Sequence, residues 1–167
     1  TKAIVVVHYG GIACEMDEIM DVAQRHNLYV VEDAAQAIDS YYKGKPVGSI
    51  GHLAAFSFHE TKNIVSGEGG LLVINDEQFF EGAEIIREKG TNRGMCSRGE
   101  VDKYEWTDVG SSFLPSDMIA AFLWAQLEQI NQIQSQRQNV WLQYHQQLQP
   151  LADNEKIGLL PVAFTKQ

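Results

Sequence analysis

The chain is poor in the features that mark several large protein classes. Only two cysteines, Cys14 and Cys96, occur in 167 residues. They form no metal-spaced cluster, and they are expected to be small core or surface residues of a protein in a reducing cytoplasm. Positive charge is also short, with 13 Lys and Arg against 22 Asp and Glu, a formal net charge of −9 and a pI near 4.9. A grip on nucleic-acid backbones needs clustered Lys and Arg; here they are scattered singly, so no nucleic-acid partner is expected. Long apolar runs are missing. The run Ala3 to Val7 is broken by His8-Tyr9-Gly10-Gly11, far short of the ~20 residues of a membrane span, so no membrane partner is expected either. There are no internal repeats, and no G-x-G-x-x-G or G-x4-G-K-[ST] loop of a plain nucleotide-binding module. Finally, the chain lacks an initial Met and opens Thr-Lys-Ala-Ile-Val-Val-Val, already inside a strand pattern, as the middle part of a longer protein would.

What is present is an ordinary globular composition, 44% hydrophobic and 21% charged. The first third reads as a β-α-β unit. The β-branched run Ala3 to Val7 is followed by Met16, Ile19, Met20 and Ala23 at helical spacing, then by a strand from Leu28 to Val31 that stops at Glu32-Asp33. Such crossover units build parallel sheets whose ligands gather at the carboxyl ends of the strands, which puts Asp33 where chemistry usually sits. A polar turn at Tyr42 to Pro46 precedes strands at Leu53 to Phe58 and Gly70 to Ile74. Asp76 should cap a helix running to about Lys89, with Gly90 as its stop. Residues 90–115 lack periodicity and read as a long functional or mobile loop. Ser116 should cap a helical run to about Gln149, its apolar first half buried and its length implying a bend or an interdomain connection. Leu159 to Val162 looks like the entry to another strand.

The densest chemistry lies in Glu32-Asp33-Ala34-Ala35-Gln36-Ala37, then Phe56-Ser57-Phe58-His59-Glu60-Thr61-Lys62-Asn63, then Gly67-Glu68-Gly69-Gly70. Taken singly, each has a bland reading: Asp33 as a turn former, Ser57 as the polar face of a strand, Lys62 as a solvated lysine, the glycines as a hairpin. Together they supply the groups that hold pyridoxal 5′-phosphate (PLP). A carboxylate keeps the pyridine nitrogen protonated, a lysine bonds the aldehyde, and hydroxyls with backbone N–H groups bind the phosphate.

These same runs resemble the signature of the DegT/DnrJ/EryC1/StrS sugar aminotransferase family, and the resemblance covers nearly the whole chain. It implies an α/β fold, the large domain of a fold type I (aspartate aminotransferase-like) PLP-dependent transferase, with a mostly parallel mixed sheet flanked by helices and incomplete here. Residues 1–129 would belong to that PLP-binding domain, and 130–167 to a connecting helix and the start of a small C-terminal domain. The resemblance further implies that Lys62 is the lysine that bonds PLP and shuttles the proton, that Asp33 pairs with the pyridinium, that Gln36 contacts the ring hydroxyl side and that Ser57 binds the phosphate. Ser112 falls where many relatives place an Asn that reaches the phosphate of the neighbouring subunit, so a homodimer or higher homo-oligomer with shared active sites is expected. His59, Asn63 and Arg93 are candidate substrate contacts, and no metal is expected.

The runs Arg87 to Arg93, Val101 to Tyr104 and Gly110 to Asp117 resemble a branch that aminates dTDP-4-dehydro-6-deoxy-D-glucose with L-glutamate, in the cytoplasm, for surface polysaccharide synthesis. The alternatives are a related sugar dehydratase, disfavoured because its lysine is replaced by histidine whereas Lys62 is intact, amination of a 3-keto sugar, and a non-enzymatic regulatory homologue. Family members are more than twice as long as this chain, so by itself it is expected to be inactive and to hold PLP weakly or not at all.

Overall fold

The computed structural model describes residues 1–159. Four strands form the main sheet: β1 (Ala3–Val7), β2 (Tyr29–Asp33), β5 (Leu53–Ser57) and β6 (Gly70–Ile74). Their order is β1-β2-β5-β6; β1, β2 and β5 are parallel, and β6 is antiparallel to β5. A two-residue hairpin, β3 (Tyr41–Tyr42) and β4 (Lys45–Pro46), occupies the expected polar turn.

Helix α1 (Met16–His26) makes the crossover from β1 to β2. Its acids Asp17 and Glu18 lie in the first turn and Arg25 and His26 in the last, matching the helix dipole. Asn27 ends it in the left-handed region at φ 52°, and the Leu28 N–H donates back to the Ala23 carbonyl. The helix buries Met16 and Ala23 against Val6 and Val30, with Ala34, Ala37, Tyr42 and Val47 completing the core. The opposite face of the sheet is open: Val5, Val7 and Leu72 are exposed.

One buried polar network departs from the hydrophobic pattern. Glu32, expected to end β2, lies inside it and is fully buried, as is His8 just after β1. His8 Nε2–H donates to Glu32 Oε2 at 3.0 Å. Gly48 N–H donates to the same oxygen, and Ile50 and Gly51 N–H to Oε1. Both carboxylate oxygens therefore act only as acceptors, and the Cys14 N–H donated to His8 Nδ1 fixes the ring proton on Nε2. Glycine is required at 51, because a Cβ there would sit 2.9 Å from the Val30 carbonyl. Asn75 extends the network by donating to the Gly48 and Gly51 carbonyls.

Asp76 caps as expected, but its side chain opens a 3-10 turn (Glu77–Phe79) before α2 (Phe80–Arg87). The expected loop 90–115 is ordered by backbone bonds that leave no periodic signature. It holds α3 (Arg93–Ser97), and isolated bridges join Glu88 to Ser112 and Thr91 to Trp106. Arg98 clamps it by a bidentate contact to Glu84 at 2.7 and 2.9 Å and by a second contact to Glu100.

Hydrogen bonding to Arg98 holds the carboxyls of Glu84 and Glu100 below their usual value of 4.5. A lowered folded-state value stabilises the clamp above 4.5 and loses that stabilisation as pH falls through the lowered values. The side-chain carboxyl signals of Glu84 and Glu100 in NMR are therefore expected to titrate below 4.5. Titration of both at or above 4.5 would contradict the clamp.

Ser116 caps α4 (Asp117–Glu128), accepting from the Ile119 N–H, and α5 (Ile130–Asp153) follows after a break at Gln129. Two expectations need correction here. The run does not stop near Gln149 but passes through Pro150 to Asp153, at the cost of the backbone bond proline cannot donate. The apolar first half is not buried: Met118 is 85% and Trp124 65% exposed, because no described element packs over that side of α4. No described helix is long and apolar enough to cross a membrane. The strand expected from Leu159 to Val162 lies, beyond its first residue, outside the described residues.

Candidate active site

The carboxyl ends of the three parallel strands converge on one pocket of about 380 Å³. After β1 it is lined by Gly10, after β2 by Ala34, Ala35, Gln36 and Ile38, and at the end of β5 by Phe56, Ser57, Thr61, Lys62 and Asn63. This is the position at which an open parallel sheet offers its loops to a ligand. A shallower hollow beside His52 and Asn75 lies at the amino end of β5 and gathers no comparable set.

Of the residues expected from the sequence, the fold brings Gln36, Ser57, Lys62 and Asn63 into this wall. Asp33 ends β2 immediately before the lining residues Ala34 and Ala35 but is not itself part of the lining. His59, Arg93 and Ser112 stand outside it. Arg93 begins α3, and Ser112 is held by its bridge to Glu88 at the end of α2.

Local hydrogen bonds decide what each side chain can offer. The Gly10 N–H donates to Gln36 Oε1 at 2.7 Å, which leaves the carboxamide NH₂ as a donor. Gly10 reaches this position in the left-handed region at φ 63°. Ser57 Oγ accepts from the His59 N–H at 3.3 Å, which leaves the hydroxyl hydrogen available to a ligand oxygen. Asp33 Oδ1 accepts from the Ala35 N–H at 3.1 Å, a turn that fixes the carboxylate at the strand end. Lys62 is the only charged residue in the lining, and among the described residues no carboxylate forms an ion pair with it. The pocket thus presents a cation, an amide donor and a hydroxyl donor, a set that suits an anionic ligand with a carbonyl for the amine.

That donor set fits PLP. Ser57 and the loop N–H groups can hold a phosphate, Gln36 can donate to the ring oxygen, and Lys62 supplies the amine. A volume of about 380 Å³ is within the usual range for small-molecule sites. Reading the sequence missed Gly10 and Thr61. Gly10-Gly11 follows the first strand, and its place at a parallel strand end was the signal that could have found it.

Comparison with known proteins identifies the family. Residues 1–162 match the model of the DegT/DnrJ/EryC1/StrS aminotransferase family. A GDP-perosamine synthase of Caulobacter vibrioides is 38% identical over 153 residues, covering 92% of this chain and 39% of that protein. Among solved structures, an aminotransferase from Psychrobacter cryohalolentis is 39% identical with a TM-score of 0.71, over 79% of this chain and 34% of that one. A Streptococcus pneumoniae protein assigned as a sugar aminotransferase and solved in its PLP form is 25% identical with a TM-score of 0.76, over 89% of this chain and 41% of that one. The chain spans about two fifths of the length of the curated relatives it matches. Its mixed sheet and flanking helices are part of the fold type I architecture of PLP-dependent transferases. With a family match over nearly its entire length, the chain belongs to the DegT/DnrJ/EryC1/StrS aminotransferase family.

Proposed function

We propose that this chain forms the cofactor-holding part of a PLP-dependent aminotransferase that passes the amino group of L-glutamate to a nucleotide-linked 4-keto-6-deoxy sugar, namely dTDP-4-dehydro-6-deoxy-D-glucose. The observation that carries the reading is the single uncompensated ammonium of Lys62 beside the donors of Gln36 and Ser57 in one pocket.

When bound, PLP supplies an electron sink for the carbon that gains or loses the amino group. Asp33 is assigned to accept the pyridinium N–H, since its carboxylate is fixed at the end of β2. The NH₂ of Gln36 would donate to the ring oxygen, and the hydroxyl hydrogen of Ser57 would donate to the phosphate. Lys62 would supply the amine for the aldehyde, and its free Nζ would be the base placed to take the proton from the α-carbon of the amino donor. Ala34, Ala35, Ile38 and Phe56 form the apolar part of the wall.

Asn63 and Arg93 are assigned to the sugar nucleotide. Ser112, with a shorter reach than asparagine, is assigned to the phosphate of the neighbouring subunit in a homodimer. The product would feed surface polysaccharide synthesis in the cytoplasm. A second reading, a GDP-linked sugar, is favoured by the 38% identity to a GDP-perosamine synthase.

The test is to incubate the full-length protein and PLP with L-glutamate and either the dTDP- or the GDP-linked 4-keto-6-deoxyhexose, following 2-oxoglutarate and the mass of the amino sugar. Turnover of the dTDP sugar is expected. Turnover of the GDP sugar alone would overturn the choice of nucleotide, and no amino transfer with either would overturn the reading.

A further inference from the structure

His59 sits between the two proposed cofactor ligands, and every hydrogen bond it makes lies within the segment that carries them. Its N–H donates to Ser57 Oγ at 3.3 Å, and its carbonyl accepts the Lys62 N–H at 2.9 Å. Its ring Nδ1 accepts the Thr61 N–H at 3.2 Å and lies 2.9 Å from Thr61 Oγ1. Because Nδ1 is an acceptor, the ring proton is on Nε2, which lies 3.9 Å from the Glu68 carboxylate on the far side of the loop.

The imidazole is not part of the pocket wall, whereas Ser57, Thr61 and Lys62 are. The His59 backbone thus ties the Ser57 hydroxyl to the Lys62 N–H, and its ring holds Thr61, one residue before Lys62, by two contacts. An isolated β-bridge between His59 and Gly67, with the Glu60 N–H donated to the Gly67 carbonyl, fixes the turn against the glycine-rich strand entry.

We infer that His59 is a positioning residue for Ser57 and Lys62, and that its imidazole acts on the turn and not on substrate. This replaces the expectation that His59 contacts substrate. The inference rests on the reading of this pocket as a PLP site.

The test compares His59→Ala and His59→Asn in the full-length protein, with PLP as the probe. The side-chain oxygen of asparagine accepts the N–H two residues on, the bond that Nδ1 now makes. His59→Ala is expected to weaken PLP binding and slow its fixation at Lys62 roughly tenfold, the scale of one or two lost hydrogen bonds. His59→Asn is expected to recover to within about threefold of the parent. Thermal midpoints measured alongside identify a variant that has simply lost its fold.

Amide exchange across residues 57–62 without PLP should follow the same order, faster in His59→Ala and restored in His59→Asn. That arm does not depend on the cofactor assignment. An Asn variant as impaired as the Ala variant at equal thermal midpoints, or equal exchange in all three proteins, would overturn the positioning role. If instead the parent protein fixes PLP at a residue other than Lys62, the reading of the pocket fails while the exchange order still tests the turn.

Discussion

Lys62→Ala is expected to lower amino transfer by the full-length protein by a factor on the order of 10³, within the range for loss of a general acid–base group. The expectation follows from the pocket wall, where Lys62 is the only charged residue. No neighbouring amine in that wall can take over either the bond to the aldehyde or the proton. Lys62→Arg separates charge from chemistry. A guanidinium keeps the positive charge that attracts the phosphate and the donor carboxylate, but it does not deprotonate in proteins. The Arg variant should therefore retain much of the PLP affinity and be as slow as the Ala variant in single-turnover absorbance measurements. An Arg variant that turns over at the parent rate would mean that Lys62 contributes charge alone.

The second large effect concerns stability. Glu32→Leu is expected to cost at least about 3 kcal/mol, because each buried donor left without an acceptor costs roughly 1–3 kcal/mol, and to appear as a lower urea midpoint. The leucine would leave the His8 Nε2–H and the N–H groups of Gly48, Ile50 and Gly51 without the acceptor that the fully buried Glu32 now supplies. These donors come from the end of β1 and from the loop entering β5, and Glu32 gathers them from the middle of the sheet. Because successive residues of a strand face opposite sides, Glu32 anchors β2 from one face while Asp33 is presented on the other. A change below about 1 kcal/mol would show that water or rearranged side chains satisfy these groups.

Much of the fold was legible because strand and helix periods are local properties. β1, α1 and β6 follow directly from their apolar spacing, and Ser116 and Asp76 announce helix starts through their side chains. Glu32 was misread for the same reason: an acid interrupts an apolar run, and only the four donors brought from distant segments explain its burial. Likewise, residues 90–115 looked like a loop because their order comes from bonds such as the Thr107 and Asp108 N–H groups donated to the Gly90 carbonyl, which depend on no side-chain pattern.

The apolar α4 was expected inside because composition reports a preference for burial and not the presence of a covering surface. Residue type and order pointed to Gln36, Ser57 and Lys62, which the fold places in one pocket wall and whose proposed roles need a particular functional group. Gly10 contributes only a backbone N–H, and the imidazole of His59 works through its neighbours; both depend on where the chain turns.

The central claim is that Lys62 is the residue that takes PLP. Borohydride reduction of the PLP-loaded full-length protein, followed by proteolysis and peptide mass mapping, tests it most directly. One phosphopyridoxyl group is expected, on Lys62 and absent from Lys62→Ala. Stoichiometric label on any other lysine, or label that persists in that variant, would contradict it.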